Sequence, residues 1–144
     1  MTRAARVLWV LAAVLLAGAG GSRADRDQLD AFLIQGQWEL VSAHDDGQAR
    51  ATDHNRIVVG ATRWQAEGNA FQYVLYPRRR PKQVDWILDG QVWRGIYEVT
   101  SKELRLCVAP PGRPRPAEFE TVLGDQRSLH VRKRVAPPSS KEGQ

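Results

Sequence analysis

Cysteine is almost absent: Cys107 stands alone in 144 residues, so no intramolecular disulfide can brace the fold. Histidine is nearly as scarce, and the spacing of His44, His54 and His130 matches no metal-ligand motif. There is no glycine-rich phosphate loop, no nucleophile elbow and no paired-carboxylate motif, which removes the usual sequence warrants for nucleotide chemistry and hydrolysis. Internal repeats are missing too. The apolar run Val7 to Ala17 has eleven residues, well short of the ~20 that a membrane-spanning helix needs. What the chain does have is five tryptophans and long stretches in which apolar and polar residues alternate.

The short apolar run follows Arg3 and Arg6 and precedes the small residues Gly18 to Ser22, the three-part pattern of a secretory signal. Cleavage after Ala24 fits the small-x-small rule through Ser22 and Ala24, with Ala19 the alternative. Residues 1–24 are thus expected to be a signal peptide, 25–134 one β-barrel domain, and 135–144 a disordered tail containing Pro, Ser and Lys. Export follows, to the periplasm or the extracellular space. No cysteine lies near the cleavage point, which excludes lipid attachment there. The formal charge of +5 falls to +2 without Arg3, Arg6 and Arg23, so the basic balance does not mark a nucleic-acid binder.

Asp25 to Ile34 reads as a short helix, with Leu29, Phe32 and Leu33 at helical spacing behind acidic residues suited to a helix N-terminus. Gly36 ends it, and the period then changes to two. Eight strands are expected: 37–43, 56–59, 63–66, 70–76, 83–88, 91–99, 103–108 and 128–134. Asp45-Asp46-Gly47, Glu67-Gly68-Asn69, Asp89-Gly90 and Thr100-Ser101-Lys102 supply tight turns. Alternation puts Trp38, Leu40, Phe71, Tyr73, Leu75, Val84, Trp86, Leu88, Trp93, Tyr97, Val99, Leu104, Leu106, Val108, Leu129 and Val131 on one face. It puts Glu39, Gln72, Asp85, Arg94, Glu98, Arg105 and Arg132 on the other. Eight short strands on tight connections favour closure into an antiparallel barrel, which removes exposed edges. Ala109 to Gly124, with four prolines, breaks the rhythm as a loop with one helical turn at Ala117-Glu118-Phe119.

A short helix leading into Gly36-Gln37-Trp38 resembles the opening of lipocalins, in which the Trp closes one barrel end. Gln35-Gly36-Gln37-Trp38-Glu39-Leu40-Val41-Ser42-Ala43 looks like one signature of an uncharacterised family of small secreted domains abundant in planctomycete bacteria. Gly95-Ile96-Tyr97-Glu98, Leu104-Arg105-Leu106-Cys107 and 112–119 look like the other. The likeness runs from about Leu33 to Arg134. It implies a lipocalin-like barrel, export, a barrel-closing role for Gly36 and Trp38, and a basic residue of the last strand, Lys133 or Arg134, stacked on that Trp. It implies no activity. Arg63 to Tyr76 departs from the family pattern, being rich in aromatics where a more polar hairpin is expected.

Trp64, Tyr73, Trp86, Trp93 and Tyr97 are the candidate ligand-binding residues. Large rings on inward faces make either solid core or the lining of a pocket at the barrel mouth. Other features carry less. His44, Asp45, Asp46, Asp53 and His54 share one polar loop that could hold a metal ion but read as ordinary loop composition. His130 is expected exposed on the outer face, and Cys107 is a structural thiol without a base. Arg78, Arg79 and Arg80 offer weak contact with an anionic envelope surface. No cofactor is implied. The favoured function is therefore a non-enzymatic extracytoplasmic binding module for a small apolar or amphiphilic molecule. The rivals are an envelope-associated interaction module with a solid barrel and, last, an enzyme.

Overall fold

The computed structural model describes residues 23–53 and 55–136; the expected signal sequence to residue 22, His54 and the tail from residue 137 lie outside the described residues. One helix, α1 (Arg23–Leu33), precedes the strands β1 (Gly36–Asp45), β2 (Gln48–Ala49), β3 (Arg56–Val59), β4 (Arg63–Ala66), β5 (Asn69–Tyr76), β6 (Gln83–Leu88), β7 (Gln91–Val99), β8 (Glu103–Ala109) and β9 (Ser128–Arg134). Each of β3 to β9 pairs antiparallel with its sequence neighbour, and β9 returns to pair with β1. Eight strands thus close the expected antiparallel barrel. The ninth, β2, is a two-residue extension hairpinned onto β1 and was not foreseen. The helix begins two residues earlier than expected.

Turn chemistry closes the hairpins. Asp46-Gly47, Glu67-Gly68 and Asp89-Gly90 each put both central residues at positive φ, as a two-residue type I′ connection requires. Its backbone twist matches that of the flanking strands, and this fixes their register. Inside, Trp38, Ile57, Val59, Trp64, Val84, Trp86, Tyr97, Leu104 and Leu106 form the buried core. Gly95 is required by it: a Cβ there would lie 2.7 Å from Cζ3 of Trp86 and 2.8 Å from the Cys107 carbonyl. The Trp86 ring occupies the space that a side chain at residue 95 would take.

The barrel has a second, outer layer. Ile96, Cys107 and Ala109 face outward yet are fully buried, beneath the 110–127 segment with its buried Pro116. Arg115 pins that segment to the wall, donating to the carbonyls of Val84 (3.0 Å) and Gly95 (2.8 Å) and to Asp85 (2.6 Å). The Arg105 guanidinium lies 4.4 Å from the centre of the Phe119 ring. Ala117 to Phe119 is a bend rather than the helical turn expected.

The main error of pattern reading concerns β9. Leu129 and Val131 were expected inward, with His130 and Arg132 outward. The register reverses this: Leu104 pairs with Arg132 and Leu106 with His130, while Cys107 pairs with Leu129 and Arg105 with Val131. Paired residues share a face. His130 and Arg132 therefore face the interior, and Leu129 and Val131 lie half-buried on the outer wall. A bulge at Val41 in β1, between Leu40 and Ser42, restores the pairing with β9 and turns Ala43 and Asp45 inward.

Candidate functional site

The two ends of the barrel differ. At one, α1 lies across the opening. Trp38 is completely buried, and its indole N–H donates to the Ile34 carbonyl at 2.9 Å. The Arg134 guanidinium lies 4.2 Å from the centre of that ring, and it donates to the carbonyls of Gln35 and Ser101 (each 2.8 Å) and of Leu33. A cation here satisfies carbonyls left open at the helix C-terminus. Arg134 is thus the basic partner of Trp38, whereas Lys133 points out toward Glu39. Gly36 permits the approach, since a Cβ there would lie 2.7 Å from Nη1 of Arg134.

The same end holds a buried polar cluster. The Tyr97 hydroxyl donates to Asp30 at 2.7 Å, and Lys82 Nζ sits 2.8 Å from the same carboxylate. Burial, then the bond to Asp30, push the Tyr97 hydroxyl far above its ordinary pKa, so it stays a donor. Tyr97 is therefore a lock between barrel and helix and lies away from the mouth. Tyr73 is also committed internally, donating to the Gly60 carbonyl at 2.6 Å and packing edge-on against Trp64 at 5.6 Å.

At the other end a recess of about 180 Å³ opens between walls of different character. One wall is aromatic: Trp64 meets Trp86 edge-to-face at 5.2 Å, and Phe71 meets Trp93 in the same way at 5.4 Å. Leu106 and Val108 continue it. The other wall is Ser128, His130 and Arg132 of β9, with Glu67 and Asn69 at the rim. Three of the five expected ligand residues, Trp64, Trp86 and Trp93, line this recess; Tyr73 and Tyr97 do not.

The polar wall is organised by charge. Arg50 Nε lies 2.7 Å from Asp45, and its Nη1 is 3.6 Å from Glu67. Arg50 Nη2 stands 3.2 Å from His130 Nε2, with Asp45 at 3.4 Å. Nε2 therefore stands between a donor, Arg50, and an acceptor, Asp45, and the tautomer decides which of the two it bonds. Desolvation first, then the Arg132 charge, pull the His130 pKa below its ordinary value. Arg132 is only 4% exposed and, among the described residues, donates to Asn55, to its carbonyl at 3.3 Å and its side-chain oxygen at 3.1 Å.

No family model, curated protein or solved structure matches the chain.

The remaining sequence candidates find structural places. Asp46 accepts from the backbone N–H groups of Gly124 (2.9 Å) and Gln126 (2.8 Å), and His44 is exposed on the outer wall. Among the described residues no three of His, Cys, Asp or Glu are grouped to hold a metal. Burial raises the Cys107 thiol pKa, and its Sγ approaches the Glu120 carbonyl at 3.5 Å, an inert setting. Arg78 pairs with Asp27 at 2.7 Å, and Arg80 turns back to the carbonyls of Pro77 and Arg79. The residues that pattern reading missed are Arg50, Ser128, His130 and Arg132. The available signal was the Ser-x-His-x-Arg alternation in β9, a polar set at period two.

Proposed function

We propose that the protein is a non-enzymatic, extracytoplasmic binding module whose barrel mouth takes one small apolar or amphiphilic molecule. The observation that carries this reading is the recess, walled by Trp64, Phe71, Trp86 and Trp93 at the unplugged end of a barrel otherwise filled with side chains. Its volume sets the ligand size. A dry cavity of about 150 Å³ holds benzene, and ordinary ligand pockets run from about 300 Å³ upward. At about 180 Å³ this recess fits a single ring with a small substituent, or a short chain. Export is supported by the Arg3/Arg6 leader with its short apolar run, and a lipocalin-like kinship by the Gly36-Gln37-Trp38 opening under a helix. p-Nitrotoluene, an apolar single-ring quencher, should quench tryptophan emission saturably. Val108→Phe, which places a ring in the recess, should abolish saturation while leaving the fold intact. Quenching that rises linearly without saturation in the wild type would sink the reading.

A second reading, contact with an anionic envelope surface, is favoured by one feature. Leu29 and Phe32 on α1 are 53% and 75% exposed, and Leu29 shares a cleft with Arg26, Arg78, Arg80 and Lys82, four cations against the two carboxylates Asp27 and Asp30. An apolar pair beside several cations suits an anionic lipid surface. Sedimentation with phosphatidylglycerol vesicles that is lost in Phe32→Ser would support it; equal partition to neutral vesicles would oppose it.

A further inference from the structure

The aromatic wall explains why the recess takes an apolar body, but it does not explain Arg132. This cation is more than nine-tenths buried in the opposite wall, and its hydrogen-bond partners are the two neutral oxygens of Asn55. Its Nε has no partner among the described residues. Nor does any described carboxylate lie within ion-pairing distance of it. The two acidic groups of the mouth flank another cation, Arg50, Asp45 at 2.7 Å and Glu67 at 3.6 Å, and Glu67 favours the Arg132 charge only from beyond ion-pairing distance. Burial pulls the Arg132 pKa down to about 10, so the side chain remains charged at neutral pH. A buried charge with no direct ion pair is costly unless something supplies one.

We infer that the recess is built for a small organic carboxylate, whose apolar body lies against Trp64, Trp86, Trp93 and Phe71 and whose anionic group turns to the β9 wall of Ser128, His130 and Arg132. This rests on the binding-module reading above and names its ligand class. The division of the walls supports it: the rings are contributed by β4 to β7, the polar groups by one strand. A single-ring acid of benzoate size matches the volume and presents both kinds of surface at once. A carboxylate also suits a guanidinium geometrically, since its two oxygens accept from adjacent N–H groups. The nearer obstacle is Glu67, 65% exposed at the rim, whose charge opposes an incoming anion.

The test compares benzoate with its neutral isostere benzamide on the intact protein, by calorimetry and by the indole N–H resonances of Trp64, Trp86 and Trp93. Benzoate should bind at least tenfold more tightly, and Arg132→Met should erase that preference while benzamide binding survives. Where Arg132→Met fails to fold, Glu67→Gln serves in its place and should tighten benzoate severalfold. Equal binding of benzoate and benzamide, or an unchanged preference in Arg132→Met, overturns the carboxylate assignment and leaves the apolar recess standing. Binding of neither, with the three indole signals unmoved at millimolar ligand, overturns the binding-module reading itself.

Discussion

Two arginines of β9, Arg132 and Arg134, both face the interior two residues apart, and each belongs to a different end of the barrel. Arg134 stacks on Trp38 and donates to three backbone carbonyls, so its charge completes the junction between α1 and the sheet. Arg132 has the same length and chemistry but, among the described residues, hydrogen-bonds only to Asn55, and it looks into a recess. Placement on the inner face therefore does not decide a residue's role; satisfaction does. A fully satisfied cation closes a fold, whereas one left short of partners beside an open volume marks where a ligand belongs.

The largest expected effect is at the closed end. Trp38→Ala removes a fully buried indole, its bond to Ile34 and its stacking on Arg134, and should cost about 3–5 kcal/mol. Urea denaturation measures it. An unchanged midpoint would show that the helix plug contributes nothing and would dissolve the contrast between the ends.

The arginine pair can be compared directly. Arg134→Met loses a cation–π contact and orphans carbonyls at the helix end, which should cost about 2 kcal/mol. Arg132→Met removes a buried charge without a direct ion pair, so stability should hold within about 1 kcal/mol or rise. Equal losses in the two variants would mean that Arg132 is as structural as Arg134, and the contrast would fail.

Much of this architecture was legible in the sequence because it is carried by local rules. The two-residue turns at Asp46-Gly47, Glu67-Gly68 and Asp89-Gly90, and the alternation through Phe71–Leu75 and Val84–Leu88, follow from positive-φ demands and from the pleat. The face of β9 escapes this rule, because hydrophobicity does not orient it. Leu129 and Val131 are indeed half-buried, but on the outer wall beside Cys107 and Arg105, a placement that no period of two can reveal. The same placement hid His130 and Arg132, and with them the polar half of the site. Tyr97 misled in the opposite way: it faces inward as expected, yet its hydroxyl is bound by Asp30, 67 residues away in sequence. The aromatic half of the recess was visible because tryptophan declares itself in sequence; the polar half depends on long-range register.

The smallest expected effect sharpens the account of the open end, since it asks whether the polar wall is as crowded with cations as the distances say. His130 faces Arg132 and Arg50 on one side and Asp45 on the other, with Glu67 at the rim. Desolvation and the neighbouring guanidiniums oppose the imidazolium more than Asp45 favours it, so the folded-state pKa lies below the unfolded value of about 6.5. Above that pH both states carry a neutral ring and the residue contributes no pH dependence. As pH falls below about 6.5 the unfolded chain takes up a proton that the folded chain resists, and stability drops until the lowered folded value is passed. His130→Gln cannot take up that proton, so its urea midpoint should run parallel to the wild type above pH 7 and decline less steeply toward pH 5. A wild type that instead gained stability relative to His130→Gln on acidification would show that Asp45 dominates. The wall would then be set for a cation, contrary to the carboxylate assignment.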